Sequence, residues 1–297
     1  MHSAILDFLK RWDVEYRESL SLAEYSSIGC GGRARLVVFP SSINTTAALI
    51  SFLNDLGAPY RVIGNMTNTL FRDCEYSGIL IKTDKLNKYF VAENTVTVEA
   101  GALYKRLAAR LSLIGISLFE ELFMIPGSIG AMVLGNAGAH GKETSGLFIS
   151  GEFLNPSGER ITLSRDEMDF AYRTSYARSL GLVCLSVTLR CFPDSFSNIA
   201  SRIKRFADIR RAAQPTNLPS LGSVFKKHDG VGMGYYIERA GLSGYRIGGA
   251  EVSRKHAGFI VNVGGATASD VIALRDFIKV RVFEKFGFMP EEEIEVL

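Results

Sequence analysis

Residues 125–146 read IPGSIGAMVLGNAGAHGKETSG. Six glycines fall among small and apolar residues, and no charge appears before Lys142. Glycine weakens regular structure because it loses more backbone entropy on folding than any other residue. A stretch so rich in it argues for a backbone that lies close against something large. Ile125 leads into a bend at Pro126, Gly127, Ser128 and Gly130 whose amides and hydroxyl suit a diphosphate. Asn136, Ala137 and Gly138, with Gly141 after them, offer a second close pass, suited to the side of a flat ring. Glycine content alone equally allows a tight turn packed beneath a helix. The stretch is not a P-loop, since no Gly-Lys-Ser/Thr ends it, and it lacks the G-x-G-x-x-G dinucleotide pattern.

Four other stretches can carry chemistry. GNMTNTLFRDCEYSG (64–78) is a polar turn after an apolar strand. Gly64, Asn65, Thr67, Asn68 and Thr69 can add phosphate contacts there, although polar turns after strands are commonly only turns. In FAYRTSYAR (170–178), Arg173 lies among Phe170, Tyr172 and Tyr176. A partly desolvated guanidinium is a good bidentate clamp for a carboxylate; the alternative is an ordinary surface ion pair. In LPSLGSVFKK (218–227), Ser223 follows a glycine, the usual setting of a turn serine, and no G-x-S-x-G nucleophile elbow is present. PEEEIEVL (290–297) sets Glu291, Glu292 and Glu293 before an apolar-alternating strand. The pattern alone does not single out one of the three.

Outward from these motifs, strands and helices alternate as in an α+β fold. Strands are expected at ARLVVFP, YRVIG and GILIKT, with a helix over residues 44–57 between the first two. Hairpins are expected to turn at Glu93-Asn94 and at Pro156-Ser157-Gly158, with a helix over 103–115. In the strand from Leu182 to Phe192, Val183, Leu185, Val187 and Leu189 share one face by alternation. A helix over 198–213 opens the last segment, and another from about Ser269 to Phe286 closes it. Thr267 with Asp270 forms a capping box for that helix, and Gly287 ends it. Segment edges near 85 and 195 divide the chain into 1–85, 86–195 and 196–297.

Composition narrows the class. The chain has 297 residues, 47% hydrophobic and 22% charged, with a formal net charge of +3. That charge is too small to argue for nucleic acid, and the basic run at 202–211 reads as a solvated helix face. Mild positive charge suits a small anionic ligand. Cys30, Cys74, Cys184 and Cys191 have no metal-ligand spacing, so no metal is expected and a reducing compartment follows. The first 20 residues carry charges at Asp7, Lys10 and Arg11 and read as an amphipathic helix rather than a signal peptide. No apolar run is long enough to cross a bilayer. The expectation is a cytoplasmic protein with a small-molecule substrate, no membrane or nucleic-acid partner and no obligate protein partner.

Taken in order, the motifs resemble the UDP-N-acetylenolpyruvoylglucosamine reductase family of peptidoglycan precursor synthesis. The resemblance rests on IPGSIGAMVLGNAGAHG, YRTSYAR, GSVFKK, AGLSGYRIGGAEVSRKHAGFIVN and EKFGFMPEEEIEVL, five stretches in one order. It implies a two-part FAD-binding region of the vanillyl-alcohol oxidase type (1–85 and 86–195) and a C-terminal domain for the UDP-sugar. It implies FAD against the stretch at 125–141, NADPH as reductant and UDP-N-acetylglucosamine enolpyruvate as substrate. Arg173, Ser223 and Glu293 match the family's catalytic arginine, serine and glutamate; Tyr172, Lys226, Lys227 and His256 match substrate-side positions. Lys227 and His228 stand where asparagine and proline are usual, and His140 where tyrosine is common. The strand ending near Cys191 runs directly into a helix, as in the shorter form without a substrate-closing loop. A related FAD-dependent oxidase or dehydrogenase of an alcohol or hydroxy acid is the alternative, although no histidine lies in an obvious covalent flavin-attachment motif.

Overall fold

The computed structural model describes residues 1–297. The chain falls into two compact units, neither of them continuous in sequence. The first comprises Met1–Glu18, Leu36–Asn65 and Gly78–Asp208; the second comprises Ser19–Arg35, Met66–Ser77 and Ile209–Leu297.

The first unit holds two hydrophobic cores. In one, the N-terminal helix His2–Arg11 buries Ile5 and Leu9. The helix Ile43–Asp55 adds Leu49, Ile50 and Leu53, and its first turn is capped by Ser42, which accepts the Thr45 N–H. Leu36, Val38, Ile79 and Ile81 complete this cluster. The helix leads into strand Tyr60–Ile63, which pairs in parallel with Ile79–Lys82 after the intervening polar turn. The other core belongs to a five-stranded antiparallel sheet. Its order is Arg160–Ser164, Phe148–Leu154, Val183–Arg190, Thr95–Glu99, Tyr89–Ala92. Helices Tyr104–Ser112 and Ile129–Leu134 add Leu107, Leu111, Met132 and Val133 to it.

Strand Val183–Arg190 departs from the simple alternation expected of it. Val187 and Leu189 join the sheet core, whereas Leu185 joins the other cluster and Cys184 is buried between its neighbours. The register with the partner strand slips between Glu152 and Phe153, where Ser186 and Cys184 are the successive partners. This β-bulge turns the strand's inward face halfway along. One strand thereby serves both cores of the unit.

The second unit is a four-stranded antiparallel sheet, in the order Ser220–Ser223, Phe259–Asn262, Ala250–Val252, Arg246–Ile247. Against it lies helix Ala268–Phe286, which buries Val271, Leu274, Ile278 and Val282. Its Thr267/Asp270 capping box forms as expected, and Gly287 ends it at φ +78°. Two pieces from the N-terminal third complete this unit. Ile28, Cys30 and Leu70 enter its core. Asn262 Nδ2 donates to Ile28 O at 3.0 Å, and Ser27 Oγ donates to Ser220 O at 2.7 Å. Asp73 accepts the Ala268 and Ser269 amides, each at 2.8 Å, and so caps the long helix from outside its own segment. The segmentation expected from sequence counted 19–35 and 66–77 with the first 85 residues; their partners lie some 190 residues or more away, beyond any local pattern.

Arg202 is not simply part of a solvated face. It pairs with the buried Glu120 at 2.8 Å and with Asp194 at 2.7 Å, both within the first unit. Four free cysteines, three of them buried, form no disulfide. No helix is long and apolar enough to cross a membrane.

Candidate functional site

In the first unit the glycine-rich stretch becomes a short helix, Ile129–Leu134, between two irregular turns. The N–H groups of Ile129 and Gly130 are already bonded, to Ala102 O and Ala100 O at 2.8 Å each. A Cβ at Gly130 would stand 2.8 Å from that of Ala100. Gly130, read from sequence as a ligand-facing residue, thus serves close packing of the helix on the sheet. Gly127 is tight against Met132, 3.0 Å from where a Cβ would sit. The polar turn after strand Tyr60–Ile63 meets this bend. Asn65 Nδ2 donates to Pro126 O at 2.7 Å, and a Cβ at Gly64 would run into the Ser128 hydroxyl. Behind them lies a cation that the sequence reading did not single out. Lys82, with its side chain 3% exposed, reaches Gly64 O at 3.3 Å and Asp84 at 2.5 Å. Its signal was a charge ending the otherwise apolar strand ILIK.

Asn136 is the pivot of the second turn. It is buried and left-handed, at φ +40°. Its amide donates to Glu143 at 2.9 Å and to Ala171 O at 3.1 Å, and its Oδ1 accepts the Ser145 N–H at 3.1 Å. The Ala171 bond matters because Ala171 to Thr174 is a tight turn, closed by reciprocal 3.2 Å backbone bonds, with Tyr172 and Arg173 at its tip. Ser175 Oγ fixes the far side of that turn through Leu134 O at 2.8 Å. Arg173 has φ +59°, a conformation usually left to glycine, and its guanidinium lies 5.0 Å over the Tyr172 ring. The Asn136 side chain supports the arginine turn, a role not legible in the sequence. Gly138 is tight against Lys142 O and the Glu143 side chain, both 2.9 Å from a notional Cβ, whereas Gly141 faces open space at φ +78°. Exposed His140 lies against Phe206, ring centroids 5.0 Å apart.

The second unit brings the segment that follows Ser223 against the segment that ends in Glu293. Residues 224–226 run antiparallel to 291–293: Glu293 N–H donates to Val224 O at 2.8 Å, and Lys226 N–H to Glu291 O at 2.9 Å. Phe225 and Glu292 form a bridge between these two bonds. The three glutamates then differ in kind. Glu291 pairs with Lys226 Nζ at 2.5 Å, and Glu292 with Arg275 at 3.1 Å and Lys279 at 2.7 Å. Glu293 has its backbone fixed on both sides, the carbonyl accepting from Asn68 Nδ2 at 2.8 Å. Asn68 O in turn accepts the Glu295 N–H at 2.9 Å, and Thr69 and Leu70 pair in parallel with Glu295 and Val296. Thr67, Asn68 and Thr69 therefore have a task in the second unit that the sequence reading missed.

His256 accepts the Gly258 N–H at its Nδ1, 3.1 Å away, and burial pushes its pKa below the usual histidine value. It is a neutral hydrogen-bonding group near pH 7 rather than a charge for anions. Lys227 is exposed, and His228 stacks flat on Phe288, centroids 3.6 Å apart.

The motifs have counterparts in known proteins. Residues 34–164 match the model of an FAD binding domain, and the chain is built on that flavin-holding fold. Residues 214–297 match the C-terminal domain of UDP-N-acetylenolpyruvoylglucosamine reductase. A reductase of that name from Lactiplantibacillus plantarum is 39% identical over 287 residues, 96% of this chain and 94% of the relative. One from Streptococcus pneumoniae (strain JJA) is 39% identical over 296 residues, 99% and 97% respectively. The crystal structure of the Thermus caldophilus reductase superposes with a TM-score of 0.80 at 30% identity, covering 95% of this chain and 98% of that one. The chain belongs to the UDP-N-acetylenolpyruvoylglucosamine reductase family.

Proposed function

We propose that this protein reduces UDP-N-acetylglucosamine enolpyruvate to UDP-N-acetylmuramate, with FAD as its bound cofactor and NADPH as reductant, in the cytoplasmic synthesis of peptidoglycan precursor. Identity along nearly the whole chain supports the reaction, and four unpaired cysteines suit a reducing compartment. The observation that carries the reading is the antiparallel stitch that joins the residue after Ser223 to Glu293 within one unit.

The first unit's turns suit a flavin dinucleotide in kind. Gly64, Asn65 and 125–130 bear no acidic side chain, the Ser128 hydroxyl faces Gly64, and the Lys82 ammonium lies behind that glycine. We assign the diphosphate to Gly64, Asn65, Pro126, Gly127 and Ser128 and the ring to Ala137, Gly138 and Gly141. The two cores of the first unit are the two parts of this FAD-binding region.

When bound and reduced by NADPH, FAD would supply the hydride needed at the vinyl carbon of the enol ether. The electron pair displaced from the double bond gathers on the ether-bearing carbon and its carboxylate, and the site must stabilise that charge. Arg173 clamps the carboxylate. Glu293, carrying a proton, donates a hydrogen bond to the same charge. Ser223 delivers a proton to the ether-bearing carbon, which completes addition of H⁻ and H⁺ across the double bond. A serine hydroxyl is a weak acid and suffices because the carbon it protonates is a strong base. Lys226, with Lys227 and Tyr172, contributes to holding the anionic substrate, and His256 contributes as a neutral hydrogen-bond partner.

The test is direct. Purified protein should be yellow, release FAD on denaturation, and consume NADPH only when the enolpyruvyl nucleotide is added, with the lactyl ether as product. Retention of the flavin on the denatured chain, or oxidation of an alcohol in place of reduction of the enol ether, would overturn the assignment.

A further inference from the structure

We infer that Asn68 is a positioning residue for Glu293: its side-chain amide sets the orientation of the Glu293 peptide, and through it the aim of the carboxyl. The inference rests on the reaction proposed above. Three observations carry it. Asn68 Nδ2 donates to Glu293 O at 2.8 Å, across 225 residues of sequence. On the opposite side, the Glu293 N–H donates to Val224 O at 2.8 Å, the residue next to Ser223. Asn68 itself is anchored, because its own carbonyl accepts the Glu295 N–H at 2.9 Å and the following residues pair with Glu295 and Val296.

Glu293 is thus the one residue of the acidic run whose two peptide groups are held by different parts of the unit. Its N–H points to the serine segment and its C=O to the polar turn at 66–69. With the amide of Asn68 removed, the Val224 bond still holds the Glu293 N–H, but the peptide that follows keeps only the long 3.4 Å bond from the Ile294 N–H to the same Val224 O. The carboxyl can then swing while the strand remains paired at Glu295. Proton-donating groups act within hydrogen-bond reach, and misplacement by about 1 Å costs on the order of 10²-fold. The side chain of Asn68 therefore belongs to the half-reaction in which the substrate is reduced, not to the holding of a phosphate.

The experiment compares Asn68→Ala, Asn68→Asp, Glu293→Ala and the Asn68→Ala/Glu293→Ala double variant as full-length holoenzymes. Flavin content and thermal midpoint are measured first. Stopped-flow absorbance then follows bleaching by NADPH and, separately, recovery of colour with the enolpyruvyl nucleotide. Asn68→Asp keeps the shape of the side chain and removes the donor, so it serves if the alanine variant folds poorly. The expected result is FAD content and bleaching within about twofold of the parent, and colour recovery slower by roughly 10–100-fold. The double variant should be no slower than Glu293→Ala alone, because Asn68 acts only through that carboxyl. Loss of FAD or equal slowing of both halves in Asn68→Asp overturns the inference and returns the side chain to the cofactor. Losses that multiply in the double variant overturn it as well. Unchanged colour recovery in Glu293→Ala itself overturns the proposed reaction together with this inference, and is recognised by its independence of any change at residue 68.

Discussion

The first unit presents its arginine on strained backbone, whereas the second presents its serine and glutamate on relaxed backbone. Asn136, His140 and Arg173 all have positive φ without being glycine. Beside Ser223, the left-handed position is given to Gly222, φ +78°. The Arg173 turn is held against the glycine-rich stretch by two buried side chains, Asn136 of that stretch and Ser175 of the turn itself. Ser223 and Glu293 are kept in place by backbone bonds between segments far apart in sequence. A side chain can be displayed either by local strain that neighbours hold down or by long-range pairing without strain, and this protein uses one device in each unit.

Mutations can break the contrast. The largest effect is expected for Ser223→Ala. Bleaching of the flavin by NADPH should proceed normally while recovery with substrate slows by about 10²–10⁴-fold, as for loss of a positioned general acid. Stopped-flow absorbance separates the two, and equal slowing of both would reduce Ser223 to a turn residue. Next comes Asn136→Ala. It leaves Ala171 O and the Ser145 N–H without their partner and puts alanine at positive φ. Urea unfolding should show a loss of about 3 kcal/mol, and an unchanged midpoint would deny that the turn is held in this way.

A smaller effect of opposite sign sharpens the comparison. Arg173→Gly removes the side chain but relieves its left-handed backbone, so stability should rise by about 1 kcal/mol while substrate reduction is lost. A gain in melting temperature together with loss of turnover is the signature of strain kept for function; loss of both would mean that the arginine also props up the fold. The smallest effect belongs to the relaxed unit. Asp73→Ala should cost about 1 kcal/mol at pH 7 through the lost helix cap. Burial tends to raise the Asp73 pKa, but the hydrogen bonds from Ser269 and the Ala268 and Ser269 amides outweigh it, and the net shift is downward. Its stabilisation is therefore full above the unfolded-state pKa near 4 and lost as pH falls through the lower folded value. Parent and variant should converge in stability below that point, and a difference that persists at low pH would point to packing rather than charge.

The same division explains what the sequence disclosed. The glycine-rich stretch, the tyrosine-flanked arginine and the capping box at Thr267 are local patterns, and each announces its conformation within a few residues. The bulge at Leu185 was hidden because alternation alone does not show where a strand carries an extra residue against its partner. Asn136 and Gly130 were visible as candidates, but their packing roles were not, since glycine needed for packing and glycine needed for a ligand look alike in a sequence. The joining of 66–77 to the C-terminal strand was invisible, because no periodicity links residues more than 200 positions apart. Among the three glutamates, the distinction came only from their partners in space.

That joining has a consequence for the chain as it is being made. Thr69 and Leu70 take their strand partners only from Glu295 and Val296, and the gap from Asn68 to Glu293 is 225 residues. At translation speeds of about 5–20 residues per second, the wait is roughly 10–45 s. For that interval the edge at Thr69 and Leu70 waits without its partner strand. Stalling late in the message would lengthen that wait without adding a partner.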